Sequence, residues 1–209
     1  MPTTDTTRTI RRATADDAPA LLPVLVDAFM PGPVAEWLVP DETERRFVYY
    51  RYFRLALRLA LEHGQVYTTG DRTGVAIWYL RDGSEPTPPP HYDHDLEYAA
   101  GKYTPRFKKL DQLFEAHHPP IPHRYLAYLA VGPAHQGLGI GTALLEHAHR
   151  ELDGSNEVAY LEASNANNER LYSRQGWRGT APMYLPQSGP PIRPMWRSPR
   201  PSAHVPQEQ

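Results

Sequence analysis

His135-Gln136-Gly137-Leu138-Gly139-Ile140-Gly141-Thr142 is the stretch that decides the fold. An apolar run, Tyr125 to Val131, precedes it and reads as a strand. The run Thr142 to Leu152 follows and reads as a helix. A strand that ends in a glycine-rich turn and feeds a helix leaves backbone N–H groups aimed at one spot, with the helix dipole behind them. That spot suits the phosphates of a nucleotide-type ligand. Glycine serves there because a side chain would hold the pyrophosphate off the amides, and because such turns often demand a positive φ.

Outward from the turn, Val158 to Ala163 is a further strand, so residues 125–163 form a strand–helix–strand crossover. Asn167 to Gln175 reads as a short helix stopped by Gly176, with strands near Met183 and Met195. Upstream, residues 8–12 read as a strand, and Thr14 with Asp17 resembles a capping box for a helix whose face is Leu21, Leu22, Leu25, Ala28 and Phe29. Pro23 is expected to kink that helix. A second helix is expected from Asp41 to His63, stopped by Gly64, with an apolar face of Phe47, Tyr50, Phe53, Leu57, Ala60 and Leu61. Its arginines, Arg45, Arg46, Arg51, Arg54 and Arg58, read as a solvated face. Val66–Thr69 and Val75–Leu80 form a hairpin, and Thr104-Pro105 starts a helix that runs to Pro119-Pro120. Residues 81–94 have no period. Helices and strands intermix, which places the chain in the α/β or α+β class.

Composition narrows the function. The 209 residues suit one domain with a sizeable core. Much of the proline lies in 86–90 and 182–206, which read as loop and tail. We expect a flexible N-terminus at 1–7, one domain at 8–197 and a disordered Pro-rich tail at 198–209. A formal charge of −2 gives no field to hold nucleic acid or an anionic membrane. No apolar run approaches the ~20 residues that span a bilayer, and residues 1–8 lack a signal-peptide core. A cytoplasmic setting is the expectation. The chain has no cysteine, which excludes disulfides, thiolate metal sites and a cysteine nucleophile. The histidine groups (His91 with His94, His117-His118 with His123, His147 with His149) lack a spaced third ligand, so no metal is expected.

Three chemistries compete for the glycine turn. A P-loop needs Gly-Lys-Ser/Thr, and Gly141-Thr142 lacks the lysine. A dinucleotide fingerprint fits Gly137 and Gly139 but meets Thr142 at its third glycine. Only about 45 residues follow the next strand, too few for the rest of a doubly wound sheet. The third option reads Gln136, Gly139 and Gly141 as Q-x-x-G-x-G.

With Leu161-Glu162-Ala163-Ser164-Asn165 and Leu171-Tyr172-Ser173-Arg174-Gln175-Gly176-Trp177, this pattern resembles the GNAT superfamily of acetyl-CoA-dependent N-acetyltransferases. The opening Ile10 to Asp17 looks like that family's first strand and helix start. Asp27-Ala28-Phe29 and Leu161-Glu162-x-Ser164 make the layout similar to the puromycin N-acetyltransferase group within it. The resemblance covers most of residues 8–197, with 81–122 matching only loosely. It implies an α/β GNAT fold: a mixed, mostly antiparallel twisted sheet flanked by helices, with splayed central strands forming an acyl-CoA cleft.

Acetyl transfer from a thioester to an amine requires a held cofactor, a neutral amine, donors for the oxyanion and help for the leaving thiolate. The resemblance implies that amides of Gly137, Leu138, Gly139, Ile140, Gly141 and Thr142, with Gln136, cradle the pyrophosphate. It also implies that Leu129 and Val131 pair with the pantetheine arm, and that Asn165 and Asn168 contact that arm. Tyr172 matches the family's general acid; alone, it would read as a buried aromatic on a short helix. Glu162 reads either as the base or as a salt-bridged structural carboxylate, since a charge in an apolar strand must be paired or used. Tyr128 reads as the holder of an activating water or as core.

On the acceptor side, Asp93 and Asp95 stand among aromatics in 91–98 and read as an acidic lip for a cationic amine, or as a plain exposed loop. The 81–122 segment is expected to shape the acceptor pocket. The expected activity is direct acetylation of a primary amine on a small molecule, antibiotic or nucleoside-like. The alternatives are another acyl-CoA, a peptide or protein amine, or a non-catalytic CoA sensor. The resemblance leaves a homodimer open.

Overall fold

A computed structural model describes residues 9–84 and 87–200. The N-terminal segment 1–7 and tail residues 201–209 lie outside the described residues. The strands are β1 (Ile10–Arg12), β2 (Gln65–Thr69), β3 (Gly74–Arg81), β4 (His123–Val131), β5 (Ala159–Ala163), β6 (Arg178–Gly179), β7 (Met183–Tyr184) and β8 (Pro191–Arg197). The sheet runs β1-β2-β3-β4-β5-β8-β6, with β7 against the start of β8. Every pairing is antiparallel except β4–β5. The helices are α1 (Ala18–Phe29), α2 (Pro33–Leu38), α3 (Glu42–His63), α4 (Tyr92–Ala100), α5 (Thr104–His117), α6 (Ile140–Ser155) and α7 (Ala166–Arg174). This is the mixed, mainly antiparallel α/β architecture expected.

Each face of the sheet carries its own core. Val66, Val75, Ile77 and Ala130 pack under α1–α5. Tyr67, Ala76, Trp78, Leu126, Leu161 and Ala163 pack with α6 and α7 on the other face. The strand alternation that sorts these side chains breaks once. Ile77 opposes Tyr128 and Trp78 opposes Leu126, so Ala127 is an extra residue and β4 bulges there. A bulge bends its strand, increases its twist and shifts side-chain parity by one. Leu126 and Leu129 therefore share the α6 face, while Tyr128 and Ala130 turn toward α1–α5.

Several helices differ from the expectation. Asp41 caps α3 by accepting Glu44 N–H at 2.8 Å, and Gly64 ends it. Its buried face is Arg45, Val48, Tyr49, Phe53, Leu57 and Ala60; Phe47 and Tyr50 are exposed. Phe53, Leu57 and Ala60 are buried as expected, whereas at the N-terminal end Val48 and Tyr49 take the places expected of Phe47 and Tyr50. Arg45 is not solvated. It donates to the carbonyls of Met30, Val39 and Pro40 at 3.1, 2.7 and 3.1 Å, tying down the α1–α3 connection. α1 is continuous through Pro23. The region read as an exposed loop at 91–98 is α4, whose Leu96, Ala99 and Ala100 are buried.

Asp17 pins the N-terminal edge. Its buried carboxylate accepts from both Arg11 guanidinium nitrogens at 2.7 Å, from Arg72 Nε at 2.6 Å and from Thr14 N–H at 3.0 Å. These bonds, Arg11 first, hold the carboxyl far below the usual range. A depressed carboxyl contributes stability that is present above its unfolded value of about 3.9 and lost as pH falls below it. Asp17→Ala is expected to lower unfolding free energy by about 2 kcal/mol near pH 7, because both arginines can turn to solvent. The deficit should shrink below pH 4; urea midpoints at the two pH values check this.

Candidate active site

The site begins where β4 and β5 part. They pair only at Arg124↔Ala159 and Tyr125↔Tyr160. The bulge at Ala127 follows directly. Beyond it, the edge of β4 that faces β5 has no strand partner, leaving backbone groups that an extended amide-bearing chain can pair with. Leu129 sits on this edge and lines the cavity beside it. The Val131 carbonyl is already engaged, because Gln136 Nε2 donates to it at 3.1 Å. Gln136 thus braces the turn against the strand and does not point its amide at a ligand.

The turn presents a run of free donors. Gly137 has φ 78° and Gly139 has φ 82°. Gly139 caps α6, whose first bond runs from Ala143 N–H to the Gly139 carbonyl at 2.9 Å. Among the described residues, no backbone carbonyl outside the helix accepts from the amides of residues 137–142. An added Cβ at Gly137 or Gly139 would meet no protein atom within 4 Å, so the demand at these positions is conformational. Leu138 is exposed and the Ile140 side chain is buried in the α6 core, so both offer only backbone to an anion. These residues can hold a pyrophosphate.

A cavity of about 930 Å³ opens through the parted strands. Asn165, Asn168, Leu129 and Tyr172 line it on the α7 side. Asn165 Oδ1 accepts Asn168 N–H at 2.9 Å as the cap of α7, and Asn168 Nδ2 reaches Ser164 Oγ at 3.3 Å. Capping engages one lone pair of the Asn165 oxygen, and its Nδ2 has no protein partner among the described residues. Tyr172 is buried beside Trp177, their ring centroids 6.1 Å apart. Burial alone pushes its phenol well above the ordinary range, so it stays protonated.

Glu162 enters the same cavity from the α5 side. Its side chain is 2% exposed, and Oε1 has no hydrogen-bond partner among the described residues. Burial raises the carboxyl to about 7, against the opposing effect of the Tyr125 and Tyr160 phenols and of Arg81. Among the described residues, the one basic side chain that comes within 4.0 Å of it is the His118 ring, which burial and Arg81 hold below its ordinary range, so the carboxylate has no charged partner at bonding distance. An unpaired buried carboxylate near neutral pH is suited to proton transfer.

The acceptor end is aromatic. Phe29, Tyr52, Phe53 and Tyr128 form tilted and edge-on pairs with centroids 5.2–5.8 Å apart. Tyr128 OH lies 2.8 Å from Tyr52 OH, which commits that hydroxyl to a protein partner. Asp93 reaches the cavity rim but pairs with Lys108 at 3.0 Å. Asp95 does not line the cavity and pairs with Arg58 at 2.7 Å. The expected acidic lip is therefore neutralised by cations from α5 and α3. Asp111 is the acid that sequence reasoning missed. It accepts from Tyr92 OH at 2.9 Å in the cavity wall, and burial pushes it to about 6. Its signal was present: with Phe107, Leu110 and Phe114 it falls at helical spacing on one apolar face. His118 and Tyr125 were also missed as site residues, and no local pattern distinguishes them.

Residues 109–179 match the model of the acetyltransferase (GNAT) domain. The chain has the GNAT fold, and its match to the GNAT domain model lies within these residues. A Corynebacterium glutamicum structure, described as histone acetyltransferase HPA2 and related acetyltransferase, is 26% identical over 93% of this chain and 98% of that one, with a TM-score of 0.68. Arylalkylamine N-acetyltransferase 2 from Aedes aegypti shares the fold at 13% identity over 92% and 99% of the two chains, with a TM-score of 0.62. The ribosomal-protein-S18-alanine N-acetyltransferase from Escherichia coli does so at 19% identity over 94% and 97%, with a TM-score of 0.54. The domain match and the Corynebacterium neighbour support an N-acetyltransferase enzyme, and members of that superfamily use acetyl-CoA as co-substrate. In the acetyltransferase, the free amides and the open β4 edge fit a pyrophosphate and an amide-bearing arm. Gly137→Ala with Gly139→Ala forces two side chains to positive φ at about 1 kcal/mol or more each. Coenzyme A affinity should fall at least tenfold by calorimetry, with the circular dichroism spectrum retained.

Proposed function

We propose that the enzyme transfers the acetyl group of acetyl-CoA directly to a primary amine of a small molecule. The observation that carries this reading is that Glu162 and Tyr172 line one cavity from opposite faces of the sheet. The cavity passes between strands that never rejoin, so donor and acceptor can meet without a covalent enzyme intermediate. The aromatic wall of Phe29, Tyr52, Phe53 and Tyr128 suits an acceptor with a flat ring body, nucleoside-like or antibiotic. The segment 81–122 closes this end through Tyr92, Asp111 and Phe114, which favours a compact acceptor over a protein tail. A cytoplasmic setting belongs to the same proposal. Among the described residues no helix is long and apolar enough to cross a membrane.

The residues divide the work. Amides of 137–142 hold the pyrophosphate, and the β4 edge at Leu129 holds the arm and offers N–H groups to the acetyl oxygen. Glu162 takes a proton from the incoming ammonium or from the attacking amine, directly or through water. Tyr172 donates a hydrogen bond to the departing thiolate. Its raised proton affinity means that it stabilises the sulfur by that bond and does not ionise ahead of the reaction.

A base works when deprotonated, so kcat/KM should rise with pH through an acid limb near 7, where the Glu162 carboxyl titrates. Glu162→Gln should lose about 10²-fold or more in kcat/KM and lose that limb. Tyr172→Phe should lose about 10²-fold in kcat with little change in the KM for acetyl-CoA. Thiol release measured over a panel of small aromatic amines and short peptides tests both. Turnover confined to peptides would refute the small-molecule assignment, and coenzyme binding without any thiol release would make the protein a sensor.

A further inference from the structure

A carboxyl that takes up a proton inside a dry cavity needs an acceptor for its new O–H. Four groups face Glu162: Tyr125 on β4, Tyr160 on β5, Arg81 on β3 and His118, which follows α5. The guanidinium has no lone pair to offer. The two phenols favour the ionised carboxylate by donating to it, and each would have to turn its O–H away before it could accept. His118 needs no such change.

A chain of hydrogen bonds sets the state of its ring. His123 Nδ1 lies 2.7 Å from the Ile121 carbonyl, which can only accept, so that nitrogen carries hydrogen. Burial holds both imidazoles below their ordinary range, His118 at about 4, and Arg81 acts in the same direction. His123 is then neutral and its Nε2 bears a lone pair. That Nε2 is 3.1 Å from His118 Nε2, which must donate. His118 is neutral as well, so its Nδ1 is bare, and it is this atom that lies 4.0 Å from Glu162 Oε1. At that distance the two atoms are not bonded, and a hydrogen on Oε1 gives them a bond to make by a small side-chain rotation.

We propose that His118 is a positioning residue of the reaction, its bare Nδ1 accepting the hydrogen of the Glu162 carboxyl while His123 and the Ile121 carbonyl fix the ring. The inference rests on Glu162 as the base. The amine N–H bond breaks, the Glu162 O–H bond forms, and the electron pair left on nitrogen attacks the acetyl carbonyl. His118 takes up no proton; the Glu162 proton later leaves to solvent through the cavity mouth. By stabilising the protonated carboxyl, His118 makes Glu162 a stronger base.

His118→Phe keeps the aromatic packing against Tyr125 and Tyr160 but removes the acceptor. His118→Asn places an amide oxygen where Nδ1 stands. The Glu162 midpoint is read from carbon-13 NMR of the labelled carboxyl, and the acid limb from kcat/KM against pH. In His118→Phe both should move down by about one pH unit, with kcat down about tenfold. In His118→Asn both should stay near the parent values. A midpoint unmoved in His118→Phe would overturn the proposal, and one moved upward would show an imidazolium paired with the carboxylate instead. A Glu162→Gln enzyme as fast as the parent would overturn the base assignment itself, and the NMR midpoint distinguishes that failure from the first.

Discussion

One extra residue in β4 organises the molecule. Ala127 has no partner on β3, so the strand bends away from β5 two residues after their last shared pair. A continuous sheet would have satisfied those backbone groups internally and sealed the centre of the fold. The bend instead opens an edge in the middle of the molecule, where a sheet normally has none. The same parity shift sends Tyr128 toward the α1–α5 side and Leu129 toward the α6 side. A single irregularity thus supplies a binding edge, a cavity and the sorting of side chains around it.

The cavity then joins two environments of different polarity. On the α6 and α7 side, unpaired amides and a helix N-terminus offer positive potential to phosphates. On the α1–α5 side, aromatic rings exclude water, and two carboxyls, Glu162 and Asp111, are pushed toward neutral pH by burial. Desolvation that would be a liability in a structural strand becomes the source of basicity once the cavity delivers an amine to it. Tyr172 shows the same physics acting on a phenol: burial keeps its proton in place.

Much of this was legible in residue order. The turn 135–142, the strand before it and the helices bounded by Asp41, Gly64 and Gly176 all rest on local chemistry that a sequence displays: capping, positive φ and apolar period. The bulge was not legible, because Tyr125 to Val131 is apolar throughout and shows no alternation to interrupt. The acceptor side failed for a related reason. Asp93 and Asp95 read as a lip only while their partners, Lys108 and Arg58, are distant in sequence. The buried face of α3 was misplaced only at its N-terminal end, where Phe47 and Tyr50 are aromatics that stand in solvent. His118 needed the whole fold, since its meaning comes from β4 and β5 together.

The central claim is that main-chain donors beside a parted pair of strands hold the coenzyme. The most direct measurement is a titration of nitrogen-15-labelled protein with coenzyme A, followed through the backbone amides. The account predicts large shifts at saturation in the amides of Gly137 to Thr142 and of Leu129, with the α3–α4 surface unmoved. Saturable binding that leaves those amides in place and shifts other regions would contradict it.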